Sequence, residues 1–212
     1  MSLSRTIIGV LGVCLALTTT APALAQAKAP ATSQTALVPA FKTLCDATSG
    51  DHAKALAAAD AAGWAILPDE AILAGMAQVP GLKMLEGGAR AQVINRELLM
   101  MIVGTAEMDA DTVVEMCAVL TFKVQTEQAV AETRAMTGAE PANLGDDDPE
   151  MADMVMWVSI NDAKGREYLS SMEGMRPMRA MVNGQLQMLM VGEQDGMTMI
   201  MQMRPIMTNP GN

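Results

Sequence analysis

On both sides of the dipeptide Asp195-Gly196 the chain places methionine at alternate positions: Met188-x-Met190, then Met197-x-Met199-x-Met201-x-Met203. A period of two belongs to a β-strand, whose successive side chains point to opposite faces. Asp-Gly supplies the two central residues with positive φ that a type I′ turn requires. The segment is therefore expected to be a hairpin. With a two-residue turn, Gln194 faces Met197, Met190 faces Met201 and Met188 faces Met203. The methionines of both strands then share one face of the sheet, because parity fixes the face. The other face carries Gln185, Gln187, Thr198, Gln202 and Arg204, and is expected to be more polar. Asn183-Gly184 offers a second hairpin signal, so Arg176 to Arg204 reads as a C-terminal three-stranded meander.

Other segments support the same fold class. Met154, Met156, Val158 and Ile160 alternate as in a strand. Thr112 to Val124 is rich in β-branched residues, and Leu98 to Val103 is a continuous apolar run. Leu82 to Glu86, Gly87-Gly88 and Ala89 to Ile94 read as a hairpin turning at the glycines. Thr105 to Asp111 reads as an acidic loop. Helical patterning is concentrated earlier. Leu37, Phe41, Leu44 and Cys45 fall on one helical face, Asp51 caps an Ala-rich helix, and Gly63 ends it before Trp64, which is expected to pack back on this pair. Pro68-Asp69-Glu70 begins a third short helix. Thr126 to Thr137 forms another, stopped by Gly138, and Tyr168 to Gly174 a short one. The expected class is α+β, with N-terminal helices packed on a mainly antiparallel sheet.

The first 25 residues have another role. Arg5 precedes an apolar run from Ile7 to Leu17, and Ala23-Leu24-Ala25 has the form of a cleavage site. This is the pattern of a secretory signal peptide, and the run is too short to span a bilayer. Cys14 lies inside the apolar run behind the bulky Val13, so a lipid anchor is disfavoured. Residues 26–34 read as a flexible leader and 35–212 as a single α+β domain. A periplasmic or secreted protein without a transmembrane anchor is expected. Past the leader only Cys45 and Cys117 remain. An even count in an oxidising compartment favours a disulfide between them, pinning the first helix to the strand that holds Cys117.

Composition removes some functions. With 14 Lys+Arg against 24 Asp+Glu, a formal charge of −10 and only 2% aromatic residues, the chain lacks the basic footprint and stacking rings of a nucleic-acid binder. Its one histidine, His52, sits in the first turn of a helix and reads as a surface or packing residue. No nucleophile elbow, phosphate loop or metalloprotease motif is present in the sequence. Asp146, Asp147, Asp148 and Glu150 lack the spacing of a calcium loop and read as a solvated acidic loop. No catalytic residue is assigned. The expected function is binding of an unidentified protein or small ligand.

Methionine is the unusual component. Of the 22, fourteen lie between Met151 and Met207. One reading is core packing by an adaptable side chain in a chain short of aromatics. The other is a Met-rich Cu(I)-binding protein, because thioethers select Cu(I). Its candidate ligands are Met172, Met175, Met188, Met190, Met199 and Met201. Sacrificial oxidation of methionine is a third possibility.

Three short motifs, Phe41-x-x-x-Cys45, Gly50-Asp51 and Ala62-Gly63-Trp64, resemble the opening of small exported alphaproteobacterial proteins. In that group a Cys-bearing helix precedes an Ala-rich helix ending in Gly-Trp, and a second cysteine lies in a later strand. The resemblance implies export and a disulfide, and brings no activity with it.

Overall fold

The computed structural model describes residues 34–68, 83–143, 154–194 and 196–208. The expected signal peptide, nearly all of the expected leader, the helix expected after Pro68 and the acidic loop expected from Asp146 to Glu150 lie outside the described residues.

The chain begins with α1 (Leu37–Phe41), which runs straight into a π-helical turn, Lys42–Asp46. Next comes α2 (His52–Ala61), whose first turn is capped by Asp51 accepting from the Lys54 N–H at 3.0 Å. It ends in a Schellman motif. The Gly63 N–H reaches the Asp60 carbonyl and the Trp64 N–H reaches that of Ala59, each at 3.0 Å, with Gly63 at φ 77°. This motif turns Trp64 back into the core, where it is buried. Among the described residues the strands and remaining helices are β1 (Ala65–Leu67), β2 (Lys83–Ile94), β3 (Glu97–Asp109), β4 (Thr112–Thr121), α3 (Thr126–Thr137), β5 (Val155–Asp162), β6 (Gly165–Leu169), α4 (Met175–Val182), β7 (Leu186–Gln194) and β8 (Met197–Met207). The eight strands form one antiparallel sheet in the order β1-β2-β3-β4-β8-β7-β5-β6. The class is thus α+β with helices on an antiparallel sheet, and the sheet dominates.

Both faces of this sheet are apolar, and they differ in chemistry. On the first face lie α1, the π-helical turn, α2 and α3. Their Leu37, Phe41, Leu44, Ala55 and Ala129 pack on Leu99, Met101, Val103, Val119, Trp157, Val191 and Ile200. Leu37, Phe41 and Leu44 are almost fully buried, each contributing about 1.5–3 kcal/mol. Trp157 is also fully buried, and its indole N–H donates to the Ala139 carbonyl at 2.9 Å. The Cys45–Cys117 disulfide joins the π-helical turn to β4, so the first helical segment is pinned to the sheet as expected. On the second face Met116, Met156, Val158, Ile160, Leu186, Met190 and Met201 form a separate buried cluster, to which α4 contributes Ala180.

Several local expectations are corrected. Gly87-Gly88 is not a turn, and β2 runs through it as a single strand. The glycines are there for close approach: a Cβ on Gly87 would lie 2.7 Å from the Val103 carbonyl oxygen, and one on its partner Gly104 would lie 2.4 Å from that of Glu86. The ladder between β2 and β3 shifts register beside them, between Met84 and Glu86. The real turn is Asn95-Arg96, with both residues at positive φ (54° and 65°), as type I′ demands. Thr105 to Asp111 is largely strand, since β3 extends to Asp109. Tyr168 lies in β6 rather than in a short helix.

The C-terminal three-stranded meander is also replaced, because Met175–Val182 is a helix. Asn183-Gly184 ends that helix in a second Schellman motif. The Gly184 N–H bonds the Met181 carbonyl at 3.0 Å and the Gln185 N–H bonds that of Ala180 at 2.7 Å. An Asn-Gly pair serves a helix end as readily as a hairpin, because both need a residue at positive φ. The remaining hairpin, β7–β8, has the expected register, with Gln194 opposite Met197, Met190 opposite Met201 and Met188 opposite Met203.

Candidate functional site

The second face is built from strand parity. On β4, β8, β7 and β5 the residues pointing to it are Met116, Ala118 and Leu120; Met199, Met201 and Met203; Met188 and Met190; and Met156 and Val158. Register aligns them in rows across the strands. One row runs Met116, Met203, Met188, Val158. The next runs Ala118, Met201, Met190, Met156. Each row therefore sets three methionines abreast on three adjacent strands. Met116, Met156, Met190 and Met201 are buried, whereas Met188, Met199 and Met203 are only partly so. Met84, Met154, Met172 and Met181 pack around the cluster as partly buried neighbours.

Of the six thioethers singled out from the sequence, the structure brings together Met188, Met190, Met199 and Met201, and packs Met172 against their cluster. It separates Met175, which is 63% exposed on the outside of α4. It adds Met203, which the hairpin register had already set opposite Met188, and it adds Met116 and Met156, which spacing alone could not place because they join from β4 and β5. Of the run Met172, Met175, Met178 and Met181, spaced by three, the last three lie on α4 and Met172 precedes it. Two of its members, Met175 and Met178, lie on the exposed side of α4.

The first face holds a polar row that the sequence analysis did not identify. Glu86, Thr105, Glu115 and Arg204 are successive cross-strand neighbours on β2, β3, β4 and β8. Gln187, Ser159 and Tyr168 continue the line on β7, β5 and β6. Several of these residues bond one another, and Arg166 on β6 ties the row to the π-helical turn. Thr105 donates to Glu86 at 3.3 Å, His52 Nε2 lies 3.6 Å from the same carboxylate, and Arg204 Nε donates to Glu115 at 3.0 Å. Arg166 bonds Asp46 in the π-helical turn and donates to Gln187 Oε1 at 3.1 Å. Burial works against the charge on Arg166, but Asp46 and Tyr168 together outweigh it, so the guanidinium pKa lies above its ordinary value.

The expectation of a polar face on β7–β8 is thus met in composition and corrected in environment. Thr198, Gln187 and Gln202 are buried beneath the helical layer. Thr198 donates to the Val124 carbonyl and Gln187 accepts from Arg166, while the Gln202 Nε2 group has no hydrogen-bond partner among the described residues. The signal that could have found this row is one polar residue in each apolar strand at matching register. Register across non-consecutive strands was the missing information.

A cleft of about 420 Å³ opens between α1 and the far end of β2, lined by Pro39, Ala40, Leu44, Trp64, Gln92 and Ile94 among others. Its size is within the range of small-molecule pockets. No helix among the described residues is long and apolar enough to cross a membrane.

Fold and faces together define a disulfide-stapled, eight-stranded antiparallel sheet with a helical side and a methionine side. Compared with protein-family models, with curated proteins and with solved structures, the chain gives no match to any of them.

Proposed function

We propose that this chain is an exported domain that works by binding a ligand in the periplasm or outside the cell, without catalysing its conversion, and that the methionine face is its binding surface. The observation that carries this reading is the asymmetry of the sheet. Three helices and a disulfide secure the first face. The second is covered, among the described residues, by the eight-residue α4, and leaves Met188, Met199 and Met203 partly exposed on an apolar surface. A partly accessible apolar surface made of adaptable side chains is a feature of binding sites. The signal-peptide pattern and the Cys45–Cys117 bond support export, because such bonds persist in oxidising compartments.

The test uses methyl-labelled methionine and indole signals in one NMR sample. Methionine methyls report the second face, and the Trp64 indole reports the cleft on the first. An apolar dye and a soft monovalent metal ion are the probes. The expected result is that at least one probe shifts the Met188, Met199 and Met203 methyls and leaves Trp64 in place. Shifts confined to Trp64, or none with either probe, would overturn the assignment of the surface.

A further inference from the structure

We infer that the methionine face holds a single Cu(I) ion, at a site centred on Met188, Met190, Met201 and Met203 and flanked by Met116 and Met156. This rests on the reading of that face as the binding surface and names its ligand. The two direct pairs, Met188 with Met203 and Met190 with Met201, lie side by side on the β7–β8 hairpin. Directly opposed residues hold their Cβ atoms about 4.5–5.5 Å apart. Pairs two residues along a strand are about 6.5 Å apart. Methionine has three rotatable bonds beyond Cα, so three or four sulfurs from such a rectangle can converge on one ion. Met116 and Met156 extend the two rows on the outer strands and supply further sulfur to either side.

The chemistry of the donors selects the ion. Thioether sulfur is neutral and soft, so it favours Cu(I) over hard, strongly hydrated divalent cations. A neutral donor set leaves one positive charge at the site, less than any divalent ion would bring into an apolar surface. Cys45 and Cys117 do not compete as thiolates, because they are joined in the disulfide. The ion's way in is also defined. Met188 and Met203 are partly exposed, whereas Met190 and Met201 in the next row of the same face are buried, so an ion arriving at the first pair sheds water as it meets the second. The chain's net charge of −10 attracts cations to its surface generally.

The site differs from the ligand set expected from spacing. Met175 is excluded by its exposure on α4, and Met203 enters as the partner of Met188.

The experiment is anaerobic competition of the disulfide-bonded protein against a colorimetric Cu(I) chelator, with ascorbate as reductant. The expected result is one Cu(I) per chain, withdrawn with sub-micromolar affinity. A variant with Met188→Leu, Met190→Leu, Met201→Leu and Met203→Leu is expected to lose about tenfold or more in affinity. A variant with Met108→Leu, Met175→Leu and Met178→Leu, all exposed positions, is expected to bind as the parent does. X-ray absorption of the loaded parent protein, which needs no variant to fold, is expected to show sulfur alone in the first shell. Absence of sub-micromolar Cu(I) binding overturns the inference, and if the apolar dye still shifts the methionine methyls the binding surface itself stands. Cu(I) held by nitrogen or oxygen, or binding undiminished in the folded quadruple variant, overturns the site.

Discussion

The Cys45–Cys117 bond offers a perturbation whose size can be worked out beforehand. The two residues are 72 positions apart, and both cysteines are fully buried. Cross-linking such a loop removes conformational entropy from the unfolded chain, which the chain-entropy model puts at about 4 kcal/mol at 25 °C. Reduction of the native protein isolates this term, because both sulfurs stay in the core as thiols. The double variant Cys45→Ala, Cys117→Ala removes the sulfurs too, and adds the loss of their contacts with the helical layer. Urea denaturation followed by tryptophan fluorescence distinguishes the two, since Trp64 and Trp157 are both buried in the core between that layer and the sheet. With an m-value of about 2 kcal/mol/M, the reduced protein should unfold about 2 M earlier in urea than the oxidised one, and the alanine variant earlier still. The m-value itself should rise on reduction, because an unfolded chain freed of its loop exposes more surface. A midpoint shift under about 0.5 M, with m unchanged, would refute the reasoning. It would mean that the unfolded chain already keeps α1 near β4 without the bond.

Other outcomes follow from single positions. Gly104→Ala should destabilise by about 1–3 kcal/mol in thermal or urea unfolding, because its new Cβ meets the Glu86 carbonyl and the Met84 methyl at 2.4 and 2.5 Å. Gly138→Ala should cost less, about 1 kcal/mol, since only its positive φ is strained and no atom lies within 4 Å. Trp157→Phe should cost about 1–3 kcal/mol by leaving the Ala139 carbonyl without its indole donor, and the companion Trp64→Phe provides the comparison. Three exposed carboxylates are held below their ordinary pKa and contribute modestly to the acid limb: Asp51 by its hydrogen bonds from Lys54, Asp60 by Arg90 and Glu167 by Arg176. A folded-state pKa below the unfolded value gives stability that is present above the unfolded pKa and lost as pH falls through the folded one. Stability should therefore be level near neutrality and decline below about pH 4, and Asp60→Asn should flatten part of that decline.

What the sequence made legible was local. Alternation and an Asp-Gly turn were enough for the β7–β8 register, because both act within one hairpin. Asp51, Gly63 and Gly138 marked helix ends because capping uses neighbouring residues. The disulfide was accessible because, with Cys14 read as part of the signal peptide, only Cys45 and Cys117 were left to pair. Where the same residue type serves two local purposes, the sequence was ambiguous: Gly87-Gly88 serves close backbone approach and Asn183-Gly184 a helix end, though each could have made a turn. The candidate site was legible only in part for a different reason. Met116 and Met156 join it through β4 and β5, whose neighbours β8 and β7 are distant in the chain. The polar row on the first face, from Glu86 to Tyr168, was invisible for the same reason.

The division of labour between the two faces bears on how the methionines can be tested. Shape-specific packing is concentrated on the first face, where Phe41, Leu37, Leu44 and Trp157 are fully buried and the disulfide fixes the helical layer. The second face relies on side chains that adapt to their surroundings. Methionine and leucine are close in volume, and such exchanges cost less than about 1.5 kcal/mol each even in a core. Because Met188 and Met203 are partly exposed, exchanging them should cost less than exchanging Met190 and Met201. A chain with all four replaced should therefore still fold on the strength of the opposite face. If replacing these residues instead collapses the fold by several kcal/mol, the methionines are structural in a way that leucine cannot imitate. Thioether geometry, rather than apolar volume, would then be what the second face needs.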